Sequence, residues 1–174
     1  LPAVLSRPVA QLARHVYRHL RADPLKHASF QPKSSRFEFR PEVLASYLNI
    51  ALTPLASALR GRPVVPTYSF PIAYQPGGSI HPHVDVQDNE MSLTYQVELE
   101  GGAHSDWPLA FLDPRGTPLT NLDASRASWV RLQDGDGALY FGPRVVHWRE
   151  PQPSRLTQIV FAWRTVNASS CAGQ

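Results

Sequence analysis

The 174-residue sequence predicts an α+β fold that is mainly β, with helices first and a sandwich or jelly roll of strands after them. Residues 8–60 place apolar side chains at the three- and four-residue spacing of helices. From Val64 onward, short runs rich in Val, Tyr, Phe, Thr and Trp alternate with Pro, Gly, Asn and Asp, which is typical of strands and turns. Seventeen prolines, spread along the chain, also favour short elements over a helical bundle.

Two helices are predicted in the N-terminal part. The first begins near Pro8, a residue suited to a first helical turn, and ends at Asp23-Pro24, because the residue before a proline disfavours helical backbone. The second begins at Pro41-Glu42 and ends at Gly61, and Pro54 is placed to kink or split it. Its apolar face is predicted to consist of Val43, Leu44, Tyr47, Leu48, Ala51 and Leu55.

The rest of the chain reads as strands separated by turn residues. The predicted strands are Val64–Tyr74, Ser92–Leu99, Leu109–Leu112, Ser128–Arg131, Gly137–Phe141, Val145–Trp148 and Thr157–Arg164. No internal repeat or long linker interrupts the chain, so we expect one domain over residues 1–174. Within it we expect supporting helices over 1–62, a β core over 63–166 and a tail over 167–174.

Cysteine usage and charge limit the classes of function. Cys171 is the single cysteine, so no intrachain disulfide and no paired-cysteine metal site can form, and we expect a cytoplasmic protein. No run of 18 apolar residues occurs, so we expect no membrane span. The formal net charge is +3, and the basic residues of the N-terminal part lack interleaved aromatic residues. We therefore expect a solvated helix face there and no nucleic-acid partner.

The stretch from Tyr74 to Asp85 carries the most informative motif. His83 and Asp85 follow a Pro-Gly-Gly turn and are two residues apart, so in a strand their side chains share a face. His147, 64 residues after His83 and also behind a Gly-Pro turn, is the candidate third ligand. Two imidazoles and one carboxylate on one side of an iron ion form a facial triad, which leaves positions for a 2-oxo acid and O₂. His81 is an alternative ligand, since His81-Pro-His83 forms a second pair with the same spacing.

A 2-oxo acid needs a second anchor for its distal carboxylate. Arg155 and Thr157 are predicted to share one face of the last strand, where a guanidinium can hold a carboxylate through two hydrogen bonds and a hydroxyl can support it. Tyr74, near the metal motif, is placed to donate its phenol to the same carboxylate. The same parity predicts that the odd-numbered residues Ile159, Phe161 and Trp163 line the core.

Two other arginines compete with Arg155 for this role. Arg149 shares a face with His147, but it lies very close to that metal ligand in the sequence. Arg164 has the opposite parity to Arg155 and lies at the end of the last strand, so we expect it to face outward. Arg155 is therefore the preferred anchor.

Taken together, these residues resemble the 2-oxoglutarate/Fe(II) dioxygenase superfamily, and within it the prolyl-4-hydroxylase-like branch. The matching elements lie between residues 68 and 164: Tyr74, His83-Val84-Asp85, Gly135-Asp136-Gly137, His147 and Arg155-Leu156-Thr157. The resemblance implies a distorted double-stranded β-helix, Fe(II) on the two histidines and the aspartate, and 2-oxoglutarate and O₂ as co-substrates. It also implies an enzyme that hydroxylates a C–H bond and releases succinate and CO₂.

The residues leave the substrate and some alternatives open. The compact chain favours a small molecule or an amino-acid or peptide substrate. A cupin-type metal dioxygenase that uses His81, His83 and His147 without a 2-oxo acid is one alternative, and a non-catalytic jelly-roll binding module is another. The segment His104–Trp107 is expected either in a loop over the opening or in a solvated loop. The sequence predicts neither the oligomeric state nor whether the outcome is hydroxylation, desaturation or demethylation.

Overall fold

The computed structural model describes residues 1–100, 106–114 and 119–166 of the chain. Its two helices are α1 (Arg7–Ala22) and α2 (Val43–Arg60). The strands of the described residues are β1 (Ser29–Gln31), β2 (Arg36–Glu38), β3 (Val64–Tyr74), β4 (Ile80–His83), β5 (Met91–Leu99), β6 (Leu109–Leu112), β7 (Ser128–Val130), β8 (Gly137–Tyr140), β9 (Val146–Arg149) and β10 (Leu156–Thr165).

The strands form two antiparallel sheets. The larger sheet has the order β1-β2-β3-β10-β5-β8, and the smaller sheet has the order β4-β9-β6-β7. Neighbouring strands often come from distant parts of the chain; β10, for example, pairs with β3 on one side and with β5 on the other. Side chains from both sheets surround one cavity. The predicted fold class, a mainly β jelly roll with N-terminal helices, is therefore confirmed.

The N-terminal part differs from the prediction in one respect. Residues 1–62 were expected to supply helices, but they also contain β1 and β2, which extend the larger sheet at the β3 edge. Each of these strands has three residues, too few to show the period-two alternation by which a strand is recognised in a sequence. The predicted tail, 167–174, lies outside the described residues.

The two helices cover the outer face of the larger sheet. The odd-numbered residues of β10 pack against them: Ile159, Phe161 and Trp163. The even-numbered residues face the interior between the two sheets: Leu156, Gln158 and Val160. Because β10 is covered on both sides, its two faces are almost equally buried. This choice of faces decides which residues of β10 can reach the interior cavity.

By length and composition alone, α2 is apolar enough to cross a membrane. The sequence predicts no membrane span, because no uninterrupted run of 18 apolar residues occurs. Core helices of globular proteins pass the same test. In the fold, α2 is tied to the larger sheet: Nδ2 of Asn49 donates to the carbonyl of Tyr68 at 3.0 Å. The indole of Trp163 donates to the hydroxyl of Thr53 at 3.1 Å. The buried face of α2 therefore packs on the sheet through apolar and polar contacts together.

Glu42 caps α2 and joins it to α1. Its carboxylate accepts hydrogen bonds from the backbone N–H groups of Leu44 at 2.9 Å and Ala45 at 2.7 Å. It also accepts one from the phenol of buried Tyr17 at 2.6 Å. We expect Glu42→Ala to lower the free energy of unfolding by about 2–3 kcal/mol, because it removes the cap and leaves the Tyr17 hydroxyl without its partner. Urea unfolding followed by circular dichroism measures this change.

Asp23→Ala provides a matched control for Glu42→Ala. Asp23 also lies at the end of a helix, but its 2.6 Å ion pair with Lys26 is exposed. We expect its removal to cost less than about 0.5 kcal/mol, because exposed ion pairs are weak. If both variants lost the same amount of stability, Glu42 would not have the linking role described above.

Candidate active site

His83, Asp85 and His147 lie together between the two sheets. His83 ends β4 and is paired with His147 of β9, so the imidazole centroids are 4.2 Å apart. Oδ1 of Asp85 lies 3.9 Å from Nε2 of His83 and 3.6 Å from Nε2 of His147. One candidate ligand atom of each residue lies within 4.8 Å of the other two. This spacing suits a single metal ion held by three side chains.

Backbone carbonyls orient the two imidazoles. Nδ1 of His83 lies 2.9 Å from the carbonyl oxygen of His81, and Nδ1 of His147 lies 3.1 Å from that of Val145. Because a carbonyl oxygen only accepts hydrogen bonds, each Nδ1 carries the proton and each Nε2 keeps its lone pair. Both lone pairs then face Asp85, as metal-binding histidines require.

Asp85 is positioned by β5 and by the segment after β8. Ser92 donates to Oδ2 of Asp85 at 2.5 Å, which leaves Oδ1 facing the imidazoles. The backbone N–H of Asp85 donates to the carbonyl of Gly142 at 2.9 Å. A side chain at position 142 would collide with Oδ2 of Asp85 and with the carbonyl of Asn89, so this close approach requires glycine. The motif was expected on one strand, but β4 ends at His83 and Asp85 follows it.

The charge state of the triad suits a divalent cation at neutral pH. Burial, and then the neighbouring His83, lowers the pKa of His147 to about 4, so this imidazole is neutral at pH 7. Two neutral nitrogen donors and one carboxylate on one side of an ion fit non-haem Fe(II). His81 has an exposed side chain and lies outside the cluster, so the alternative ligand set with His81 is not formed.

A cavity of about 230 Å³ adjoins the triad. Its walls come from both sheets, with Arg149 of β9 on one side and Tyr74, Gln158 and Arg36 of the larger sheet on the other. Binding pockets for drug-sized ligands are usually larger, from about 300 to 1,000 Å³. The cavity therefore fits a small acid, or the reacting part of a larger molecule.

Arg149 is a buried cation without a carboxylate partner among the described residues. Its side chain is 1% exposed, and its Nη1 donates to the carbonyl of Trp107. Nε and Nη2, which form one edge of the guanidinium, have no hydrogen-bond partner there. Burial lowers the pKa of Arg149 to about 10, so it remains charged at pH 7. Because an unpaired buried charge is costly, this edge indicates a place for an anion that has two oxygen atoms.

Tyr74 lines the same cavity as Arg149. It is buried, and its ring packs on Trp107 with centroids 5.2 Å apart. Its hydroxyl accepts a hydrogen bond from Nη1 of Arg36 at 3.2 Å, so its own proton is free to be donated. The structure thus places Tyr74 on the triad cavity, where the sequence analysis expected it to contact the co-substrate.

Arg155 and Thr157 do not line this cavity, which corrects their predicted placement. The side chain of Arg155 is exposed and lines a separate cleft of about 680 Å³ on the outer face, with Arg18 and Arg21 of α1. Thr157 is buried opposite Glu98, on the same outer face. The reason is the parity of β10, whose odd-numbered side chains face the helices.

The outer cleft is larger than the triad cavity, but its charges are mostly paired. Glu98 accepts hydrogen bonds from Arg18 at 2.9 Å and from Arg21 at 2.8 Å. Arg21 also forms an ion pair with Glu100 at 2.8 Å. Size alone therefore does not identify the functional site, whereas the triad and the unpaired Arg149 share one cavity.

Tyr140 of β8 is a site residue that the sequence analysis missed. Its hydroxyl lies 3.3 Å from Nε2 of His147 and 3.3 Å from Oγ1 of Thr94. Burial, and then Asp85, raises the pKa of Tyr140, so the phenol stays protonated and can donate a hydrogen bond beside the metal ligands. The sequence offered no signal for it beyond its place on a predicted strand.

The segment His104–Trp107 is described only in part. His104 lies outside the described residues. Trp107 is buried, and its indole N–H donates to the carbonyl of Glu150 at 2.8 Å. Trp107 therefore packs in the interior, so the expectation of a solvated loop is wrong for this residue, and the alternative of a loop over the opening stays a prediction.

Comparison by sequence gives no relative. No family model matches the chain, and no curated protein is significantly similar to it. Resemblance to known proteins therefore rests on the motif residues and on the fold.

Comparison of structures gives consistent neighbours. A prolyl-4-hydroxylase from Pseudomonas putida superposes with a TM-score of 0.70 at 12% identity, over 95% of this chain and 91% of its own. A prolyl hydroxylase from Trichoplax adhaerens, solved with a hypoxia inducible factor peptide fragment, has a TM-score of 0.65 at 13% identity, over 100% and 86%.

A third neighbour carries the cofactors that the motif implies. The alpha-ketoglutarate-dependent epimerase SnoN from nogalamycin biosynthesis was solved with Fe³⁺, alpha-ketoglutarate and nogalamycin RO. It superposes with a TM-score of 0.71 at 11% identity, over 95% of this chain and 77% of its own. The chain thus has the double-stranded β-helix fold of the 2-oxoglutarate- and Fe(II)-dependent oxygenases, the superfamily that its sequence resembles.

Proposed function

We propose that the protein is an Fe(II)- and 2-oxoglutarate-dependent oxygenase. One observation carries the proposal: the His-Asp-His triad and an unpaired buried guanidinium line the same small cavity. A metal site alone fits many functions. A metal site together with a buried anion site fits a co-substrate that chelates a metal at one end and carries a carboxylate at the other.

The residues present fit Fe(II). His83, Asp85 and His147 would hold the ion, since their free nitrogen lone pairs and one carboxylate oxygen converge. When bound there with 2-oxoglutarate and O₂, iron supplies the oxidising power to attack a C–H bond, while the co-substrate leaves as succinate and CO₂. The protein orients the ligands through the carbonyls of residues 81 and 145 and through the hydroxyl of Ser92.

Arg149 and Tyr74 replace Arg155 and Thr157 as the proposed anchor of the distal carboxylate. The Nε and Nη2 groups of Arg149 point along one edge of the guanidinium, so two parallel hydrogen bonds to one carboxylate can form. Tyr74 can add a third from its phenol. His147 and Arg149 are two residues apart on β9, share a face and line the same cavity, which supports a metal and an anchor side by side.

The cavity also limits the primary substrate. It holds about 230 Å³, which must accommodate the co-substrate and the reacting group together. We therefore favour a small molecule, or the side chain of an amino acid or peptide that enters while the rest stays outside. The Trichoplax neighbour binds a peptide, which is compatible with the second case.

Calorimetric titration in the absence of O₂ tests the proposal without knowledge of the substrate. We expect one Fe(II) ion per chain, followed by one 2-oxoglutarate whose binding requires the metal. In air, the Fe(II)-loaded protein should release ¹⁴CO₂ from 1-¹⁴C-labelled 2-oxoglutarate. Equal 2-oxoglutarate affinity with and without metal would contradict the proposal, as would tight metal binding without 2-oxoglutarate binding.

A further inference from the structure

We propose that the primary substrate is a small carboxylic acid whose carboxylate binds to Arg40 at the wall of the triad cavity. This inference rests on the proposed function and adds the chemical class of the substrate. Three observations support it: the placement of Arg40, its free nitrogen atoms and the charges around the cavity.

The short strand β2 brings a second set of charged residues to the cavity. Arg36 is paired with Tyr74 and Glu38 with Ile72, and because they are two residues apart their side chains share the inner face of the larger sheet. Arg40 continues this row, with its guanidinium stacked on Phe70 at 3.4 Å from the ring centroid. Arg36, Arg40 and Phe70 all line the triad cavity.

Tyr68 connects this wall with the metal ligands. Its ring centroid lies 5.5 Å from the guanidinium carbon of Arg40. Burial raises the pKa of Tyr68, Asp85 raises it further, and Arg40 opposes both effects. Because Arg40, Tyr68 and Asp85 all line the triad cavity, a molecule held by Arg40 along this aromatic wall would extend toward the triad.

Arg36 and Arg40 differ in how many of their guanidinium nitrogen atoms lack a hydrogen-bond partner. Arg36 is nearly buried and donates through its two Nη atoms, to Glu38 at 2.6 Å and to the hydroxyl of Tyr74 at 3.2 Å, so only its buried Nε lacks a partner among the described residues. Arg40 contacts Glu38 through Nε alone, at 3.3 Å, and its side chain is 48% exposed. Within the described part of the chain, neither Nη of Arg40 has a hydrogen-bond partner, so this end of the guanidinium can receive a ligand.

The charges indicate a ligand with one negative charge. Arg36, Arg40 and Arg149 contribute three positive charges around the cavity, and Asp85 and Glu38 contribute two negative charges. Fe(II) and dianionic 2-oxoglutarate cancel each other, so one positive charge remains, on the wall where Arg36 and Arg40 share Glu38. A carboxylate balances it, whereas a phosphate monoester carries about −1.5 to −2 at pH 7.

Zn(II) with 2-oxoglutarate gives a complex for binding measurements, because zinc has no redox chemistry. We would titrate this complex with benzoate and with benzamide, its uncharged counterpart of similar shape. We expect benzoate to bind at least about tenfold more tightly. Arg40→Gln should reduce the preference to less than about twofold, and Arg40→Lys, which keeps the charge, should restore part of it.

Arg62→Gln is the matched control for Arg40→Gln. Arg62 has 49% side-chain exposure and also has one glutamate partner, Glu90, but it does not line the cavity. It should leave the preference for benzoate unchanged. Urea unfolding checks that the variants are folded, which we expect because Arg40 is half exposed.

Three results would overturn the inference: no benzoate binding, equal binding of benzoate and benzamide, or a preference that survives in Arg40→Gln. Tighter binding of phenyl phosphate than of benzoate, with the same dependence on Arg40, would also overturn it in favour of a phosphate. Failure of the proposed function looks different, since 2-oxoglutarate would then not bind the Zn(II) protein. The preference for benzoate can still be measured in that case.

Discussion

Asp85→Ala is expected to abolish tight binding of divalent metal and, with it, turnover of 2-oxoglutarate. Asp85 supplies the carboxylate of the three-residue cluster, so only the two imidazoles remain. We expect the affinity for metal to fall by at least about 100-fold, since loss of groups that merely orient a ligand costs about 10- to 100-fold. Thermal unfolding with and without Zn(II) measures this, because a ligand at 100 times its Kd stabilises the folded state by about 2.7 kcal/mol.

The metal-free form of Asp85→Ala should unfold close to the parent protein. Among the described residues, the side chain of Asp85 accepts a hydrogen bond from buried Ser92, so its loss should cost about 1–2 kcal/mol. Asp88→Ala is the control, because Asp88 is an exposed acid in the same segment and lies outside the cluster. If Zn(II) still stabilised the Asp85→Ala variant as much as the parent protein, Asp85 would not be a metal ligand.

The metal cluster could be predicted from the sequence because its signals are local. The two-residue spacing of His83 and Asp85 after a turn places both side chains at one spot, whether the strand includes Asp85 or ends at His83. His147 lies on a strand behind a Gly-Pro turn, and antiparallel pairing of β4 with β9 brings it opposite His83. Short-range spacing and one strand pairing suffice to assemble the cluster.

The anchor for the co-substrate could not be assigned in the same way. The alternation along β10 separates two sets of residues correctly, but both faces of this strand are buried. The sequence therefore does not tell which face meets the helices and which meets the cavity. Arg155 was placed on the wrong side for this reason. Nearness to His147 in the sequence argues against Arg149, whereas the face that these two residues share on one short strand favours it.

The two arginines that the N-terminal part contributes to the cavity wall could not be predicted for a different reason. Arg36 and Arg40 lie in a basic stretch that the charge pattern assigned to a solvated helix face. Arg36 lies in β2 and Arg40 just after it, and both are placed by the pairing of β2 with β3, segments more than 30 residues apart. A three-residue strand such as β2 shows no alternating pattern in the sequence. A basic residue that enters a site through such a strand cannot be distinguished in the sequence from a surface residue.

Arg149→Met is expected to weaken 2-oxoglutarate binding by about 100-fold or more while leaving the binding of metal intact. The variant removes a bidentate, charge-assisted contact, for which about 3 kcal/mol is a conservative value. Methionine fills most of the space and brings no charge, so the free energy of unfolding of the ligand-free protein should stay within about 1 kcal/mol or rise. Isothermal titration of the Zn(II) protein with 2-oxoglutarate measures the affinity, and urea unfolding measures the stability.

The combination of lost affinity and retained stability distinguishes a binding role for Arg149 from a structural one. A guanidinium that served packing alone would give the opposite result, with stability lost and 2-oxoglutarate binding unchanged in the molecules that remain folded. Arg155→Met is the matched control, since Arg155 is exposed and lines the outer cleft. If Arg155→Met weakened 2-oxoglutarate binding and Arg149→Met did not, the anchor would be Arg155, next to the start of β10, and 2-oxoglutarate would have to reach the outer face of the larger sheet.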